Sequence, residues 1–144
     1  TVGFFPRRTH AYEAMELLRS NGIDAHYVDG ETSDEDRQKA IQSFQFGDAR
    51  FFVANPQTAG YGLTLTAATN VIYYANDFNL ETRVQSEDRC HRIGQKNTVT
   101  YVDLVSKGTV DEHIVKSLRA KIDLSAKTLG EEARQWLELS PRKE

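Results

Sequence analysis

Gln85 to Gln95 reads QSEDRCHRIGQ, with two carboxylates, two arginines and a histidine in one short run closed by Gly94. At helical spacing Gln85, Arg89 and Arg92 stand at i, i+4 and i+7 and share a face, with Val84, Asp88 and His91 on the neighbouring stripe. Gly94 reads as the helix stop, because glycine accepts the left-handed conformation that often closes a helix. Two arginines on one face near a helix end form a rigid positive fork. Such a fork suits a phosphate, since guanidinium presents paired donors and stays charged. On charges alone the stretch also reads as a solvated face with Arg–Asp or Arg–Glu pairs, which are common and contribute little.

Upstream and downstream, short apolar runs alternate with amphipathic stretches. Val2–Phe5, Ile23–Val28, Arg50–Ala54, Asn70–Tyr74 and Val99–Val105 read as strands. The run FFVA is unbroken in apolar residues, which implies burial on both sheet faces, as in a parallel sheet. Thr9 is placed to cap a helix from about His10 to Ser20, with Ala11, Met15 and Leu18 inward. Ser33-Asp34-Glu35-Asp36 resembles a capping box opening a helix with Ala40, Ile41 and Phe44. Thr109 and Glu112 form a second box, opening a helix with Val110, Ile114, Val115, Leu118 and Ile122. Gly130 is expected to break that helix, leaving a short one over about 131–139 with Trp136 and Leu139 inward, then a tail at 141–144. Strands alternating with helices predict an α/β fold with a parallel sheet covered on both faces.

The 144 residues suggest one domain, and 39% apolar with 27% charged residues fits a globular chain. The net charge of −3 argues against a strongly basic nucleic-acid module but leaves room for a local basic groove. The single cysteine, Cys90, excludes an internal disulfide framework and fits a reducing compartment. No Cys/His cluster has zinc spacing, so no metal ligand set is expected. No apolar run approaches the roughly 20 residues that span a membrane. The opening TVGFF lacks a methionine, and the chain reads as a piece of something longer.

After FFVA comes NPQTAGYGLTL, Asn55 to Leu65. In an open α/β sheet, ligands gather beyond the carboxyl ends of the strands, where this loop begins. Gly60 and Gly62 permit close backbone approach, and Thr58, Thr64 and Thr66 add hydroxyls. Amides and hydroxyls without bulk suit a phosphate backbone or a nucleotide, although the loop also reads as an ordinary glycine turn.

Taken together, these segments resemble the Swi/Snf-type ATPases of helicase superfamily 2. Gln85, Asp88, Arg89, His91, Arg92, Gly94 and Gln95 match every fixed position of the family's motif VI, Q-x-x-D-R-x-H-R-x-G-Q. Gly60, Gly62, Leu63 and Leu65 match motif V, with Ala59 and Thr64 departing from it. Val2–Arg8 resembles motif IV; Asp29-Gly30 with Thr32, Arg37 and Phe44, and Gly108-Thr109 with Asp111-Glu112, match further family segments. The likeness covers nearly all of residues 2–122. Its spelling looks closest to the annealing-helicase branch and its bacterial or phage relatives.

The resemblance implies a RecA-like three-layer sandwich with a mainly parallel sheet and a closing C-terminal helix, over residues 1–140. It implies the second motor lobe of a DNA-dependent ATPase and double-stranded DNA translocase, with a brace helix over about 109–122. By the same likeness, Arg89 and Arg92 are arginine fingers toward the γ-phosphate of ATP. Gln85, Gln95 and Gly62 lie beside the nucleotide, and Asp88 and His91 brace the motif. Arg7, Arg8, Gly60, Gly62 and Thr64 contact the DNA backbone. ATP with Mg2+ is bound mainly by the first RecA-like lobe of the same protein. No G-x-x-x-x-G-K-[ST] loop occurs, so this lobe is expected to be inactive alone. An intracellular setting follows, cytoplasmic in a bacterial or phage-infected cell, nuclear in a eukaryote. The alternative is a non-catalytic RecA-like module that only binds DNA or protein. A generic doubly wound nucleotide domain lacks support, since no G-x-G-x-x-G loop is present.

Overall fold

A computed structural model describes residues 1–139, the side chains of 59–61 and 125–139 excepted. The tail at 141–144 and the inward side chains expected at Trp136 and Leu139 lie outside what is described. Five strands, β1 (Val2–Phe4), β2 (Ala25–Val28), β3 (Phe51–Ala54), β4 (Asn70–Tyr73) and β5 (Thr100–Asp103), form one sheet in the order β2-β3-β1-β4-β5. Every pairing is parallel, so all five expected strands join as the α/β reading requires.

Period-two alternation divides the side chains between two faces. On one face Val2, Phe4, Val28, Phe52, Ala54, Val71 and Tyr73 pack with Ala40, Ile41 and Phe44 of α2 (Asp34–Phe46) and with Cys90 at the end of α3 (Leu80–Cys90). On the other face Val53 and Ala25 meet Ala11 and Met15 of α1 (Arg8–Ser20). The leftward step from β1 to β2 therefore runs over one face and the rightward steps over the other. That arrangement gives all crossovers the same hand. FFVA is buried on both sides, with Phe52 at 0% and Val53 at 1% exposure.

The caps follow local chemistry, with corrections. Helix α1 begins at Arg8, so Thr9 sits inside the first turn and Arg7 is the N-cap, without a side-chain cap bond. Ser33 caps α2: its Oγ accepts from the Asp36 amide at 3.1 Å and donates to the Asp36 carboxylate at 2.8 Å. Helix α4 (Val110–Leu139) is one element, so Gly130 does not break it. A glycine in a helix interior costs about 1 kcal/mol, which neighbouring turns can offset. Ile114, Val115 and Leu118 are buried as the stripe predicts, whereas Val110 is exposed.

Candidate functional site

Helix α3 starts at Asn79, whose side-chain oxygen accepts from the Thr82 amide at 3.1 Å. It ends earlier than the sequence suggests, with His91 already the C-cap at ψ 79°. Arg92 and Gly94 therefore lie beyond the helix, and the three-residue face of Gln85, Arg89 and Arg92 does not form. Gly94 does take a left-handed conformation, φ 102°, but it closes the turn after the helix. The physical reason is Gln95. Its side-chain amide donates to the Cys90 carbonyl at 2.9 Å and the Ala68 carbonyl at 3.0 Å, and its oxygen accepts from the Asn97 amide at 2.9 Å. A terminal helix carbonyl finds a partner there instead of a further helical turn. Gln95, expected beside the nucleotide, thus also closes the end of the helix.

The two arginines part company. Arg89 is buried, and its carbonyl accepts from the Leu65 amide at 2.9 Å. Arg92 is exposed, with Nη1 3.4 Å from the Thr64 hydroxyl. Gln85, half-buried, donates to Glu81 one turn back at 3.0 Å. The Asp88 side chain is half-buried, whereas the His91 side chain is exposed beside Lys96 and Asn97. Burial pushes the Cys90 thiol up to about 12, so it stays protonated near neutral pH and offers no thiolate nucleophile.

The glycine loop is held against this turn. A 3-10 helix, Pro56–Tyr61, contains Gly60, and Gly62 follows with φ 70°, a left-handed position that favours glycine. Leu63 and Leu65 are buried to 1% and 0% exposure, pinning the segment to the core. Two of the expected hydroxyls are already engaged. Thr58 donates to the Asn55 carbonyl, and Thr66 accepts from Gln45 at 3.0 Å. Gln45 also accepts from the Ala67 amide at 2.7 Å. Thr64 stays half-buried beside Arg92.

Topology puts these parts at opposite edges of the sheet. Arg7, Arg8 and Asn55 follow strand ends and occupy the carboxyl edge. Helix α3 runs back antiparallel to the strands, so Arg92, Gly94 and Gln95 fall near the amino edge. Residues 62–68 cross between them. At the carboxyl edge Arg7 is exposed, and Asn55 donates to the Pro6 carbonyl at 3.0 Å. Arg8 pairs with Asp29 at 2.7 Å and Glu31 at 3.0 Å. Burial would raise the Asp29 carboxyl. Donors from the Glu31 amide, Tyr27, Thr32 and Arg8 outweigh it and hold the group below its ordinary value.

Sequence reasoning missed Arg83. Buried to 8% exposure, it pairs with Glu87 at 2.6 Å and with Asp103, donates to Asn76 at 2.7 Å, and lies 3.6 Å above the Tyr73 ring. Tyr73 in turn shares a 2.6 Å hydrogen bond with Ser86. Arg119 of α4 approaches Asp103 at 3.6 Å. The signal was available: Asp103 is an acidic residue inside a strand, and Arg83 and Glu87 stand at i, i+4.

A five-stranded parallel sheet with helices on both faces, and a glycine loop clamped to an arginine-bearing turn, has the RecA-like architecture. The family model described as helicase conserved C-terminal domain matches residues 1–94. Protein CHROMATIN REMODELING 19 of Arabidopsis thaliana is 41% identical over 131 residues, covering 89% of this chain and 17% of the relative. A Caenorhabditis elegans homologue of a SWI/SNF-related, matrix-associated, actin-dependent regulator of chromatin, containing DEAD/H box 1, is 35% identical over 125 residues, covering 85% of this chain and 13% of the relative. The crystal structure of the C-terminal part of the Fun30 ATPase domain superposes with TM-score 0.75 at 28% identity, covering 81% of this chain and 38% of that one. The chain belongs to the helicase conserved C-terminal domain family and is a C-terminal lobe of the Swi/Snf type within superfamily 2. It spans only a small part of these relatives.

Proposed function

We propose that this lobe is the second half of a DNA-dependent ATPase that translocates on double-stranded DNA. In this reading ATP and Mg2+ sit mainly on the first lobe of the same protein, and Arg92 reaches the γ-phosphate across the cleft. One observation carries the reading. The exposed guanidinium of Arg92 hangs from a turn fixed by Gln95, and it touches the glycine loop through Thr64. A cation presented this way keeps its donors available for charge that develops in phosphoryl transfer. Arg89 acts in the same constellation from a buried position. Its carbonyl holds the Leu65 amide, so a movement of the arginine turn is passed to residues 62–66. Gln85 orients the helix behind it, Asp88 and His91 brace the motif, and Gly62 and Gln95 line the nucleotide side.

The DNA backbone is met by Arg7, Arg8, Gly60, Gly62 and Thr64. Arg7 is free to pair with a phosphate, whereas Arg8 must exchange Asp29 and Glu31 for one. Contacts of this kind are sequence-independent and weaken with salt. The chromatin names of the relatives support work in the nucleus. The test is ATP hydrolysis by the full-length protein with and without double-stranded DNA, beside this lobe alone. DNA-stimulated turnover in the first and none in the second is expected. Absence of turnover in the full-length protein would refute the motor reading.

A further inference from the structure

Helix α1 opens on two arginines, and its first turn holds no acidic residue. Arg7, the N-cap, gives the helix no side-chain acceptor, so the positive end of α1 is not offset from within its own segment. Carboxylates come to it from the turn after β2. Nη2 of Arg8 meets Asp29 at 2.7 Å and Glu31 at 3.0 Å. The two acids are held in opposite ways. Asp29 is buried. Its Oδ1 accepts from the Glu31 amide at 2.9 Å and from the Thr32 amide and hydroxyl, each at 3.1 Å, and its Oδ2 accepts from the Tyr27 hydroxyl at 3.1 Å. Asp29 therefore stays satisfied with or without Arg8. The Glu31 side chain is 78% exposed and pairs with Arg8, itself 44% exposed. A pair in that setting adds little to the fold, because ordering two long side chains offsets most of its attraction.

We propose that Glu31 is an internal competitor for the DNA backbone: its carboxylate holds Arg8 in the free lobe, a phosphate displaces it when DNA binds, and Glu31 thereby sets how tightly this edge grips. The inference rests on the reading of Arg8 as a backbone contact and extends it to a residue outside that contact. A carboxylate and a phosphate offer a guanidinium the same feature, two negatively charged oxygens side by side. Glu31 thus stands in for a phosphate at Nη2. Neither acid is stranded by the exchange. Asp29 keeps its other donors, and Glu31 returns to water that it never fully left. One ion pair replaces another, so Arg8 adds only the difference to DNA affinity. Arg7, exposed beside it, adds its whole contact. A grip moderated in this way also releases readily, which suits a lobe that must let go of one phosphate to reach the next.

The test measures affinity of the full-length protein for a double-stranded DNA of fixed length over a range of salt, with Glu31→Gln, Arg8→Gln and the double variant. Glu31→Gln should tighten binding by about two- to fivefold, the range that an exposed ion pair covers. The DNA concentration that half-activates ATP hydrolysis should fall by the same factor. Arg8→Gln should weaken binding and reduce the slope of log affinity against log salt by about one. In the double variant the gain from Glu31→Gln should largely disappear, since the group competed for is gone. A gain of equal size with and without Arg8 would mean that Glu31 only repels DNA by its own charge, and would overturn the proposal. Unchanged or weaker binding in Glu31→Gln, with Arg8→Gln weakened as expected, would overturn it too while leaving the Arg8 contact intact. Normal affinity and salt slope in Arg8→Gln would remove that contact and the inference with it. Thermal unfolding of Glu31→Gln should match the wild type; a clear fall would make the pair a support of the fold and equally overturn the competitor role.

Discussion

Arg83 and Arg92 lie on one segment, and the structure treats them in opposite ways. Arg83 is sealed among Glu87, Asp103, Asn76 and the Tyr73 ring. Arg92 stands in solvent with a single long contact to Thr64. A guanidinium whose donors are all met inside the fold holds elements together, here α3, β5 and the loop after β4. A guanidinium left outward retains its bonding capacity for a ligand. The difference separates residues that build the lobe from residues that would act through it, and substitutions can push on either side of it.

The largest effect is expected at the outward arginine. Arg92→Ala in the full-length protein should lower ATP turnover by on the order of a thousandfold, the scale of a lost arginine finger. Thermal unfolding should be unchanged, since no part of the core leans on that side chain. Turnover within a few-fold of wild type would place Arg92 on the structural side with Arg83.

The inward arginine should show the reverse pattern. Arg83→Met leaves Asp103, whose side chain is 6% exposed, without its main counter-charge. Breaking a buried pair from one side costs about 3–5 kcal/mol, because the surviving charge stays desolvated. Urea unfolding of the lobe should register that loss. Adding Asp103→Leu should restore the part due to Asp103, while Glu87, the second carboxylate on Arg83, stays unpaired. A double variant no better than the single ones would mean that the network matters for its shape more than its charge.

A smaller and continuous version of the same test is pH. Burial would raise the Asp103 carboxyl, but the hydrogen bond and charge of Arg83, with Asn76 and Arg119, outweigh that and lower it from its ordinary 3.8. A carboxylate lowered on folding contributes stability that is complete above its unfolded value and fades as pH falls toward the folded one. Acid titration of stability should therefore steepen below 3.8. The Asp103→Asn variant should be less stable at neutral pH and flatter in acid. Equal slopes for the two proteins would contradict the assignment.

What the sequence made legible follows from how local each signal is. The five strands and the buried stripes on α1, α2 and α4 depend on periodicity, and they stand close to where periodicity puts them. The end of α3 does not. Whether a helix continues through His91 depends on the Gln95 amide reaching Cys90 and Ala68, and spacing carries no trace of those tertiary bonds. The same holds for Gly130, which α4 runs through although glycine lowers intrinsic helicity. At the site, the pattern named the residues, but their opposite edges of the sheet appear only from chain topology. Arg83 escaped notice because its partners Asn76 and Asp103 are distant in the chain, and only the Arg83–Glu87 spacing is local.

The smallest effect is expected where the two sets of residues meet. Thr64 lies on the crossing segment, and its contact with Arg92 is long, 3.4 Å, and exposed. A hydrogen bond of that length in water contributes well under about 1 kcal/mol. Thr64→Val keeps the volume and removes the hydroxyl. If Thr64 only steadies Arg92, turnover should fall by less than about fivefold, and DNA affinity should keep its salt dependence. If the hydroxyl instead bonds a DNA phosphate, affinity should fall with turnover little changed at saturating DNA. Because the contact is neutral, the salt slope would hold in that case too. Measuring ATPase rate and DNA affinity on the one variant therefore separates the two roles. A loss confined to turnover would make Thr64 a support of the arginine turn, and a loss confined to affinity would make it part of the DNA surface. A comparable loss in both would show that the 62–66 segment transmits between the two edges, as the Leu65–Arg89 bond suggests.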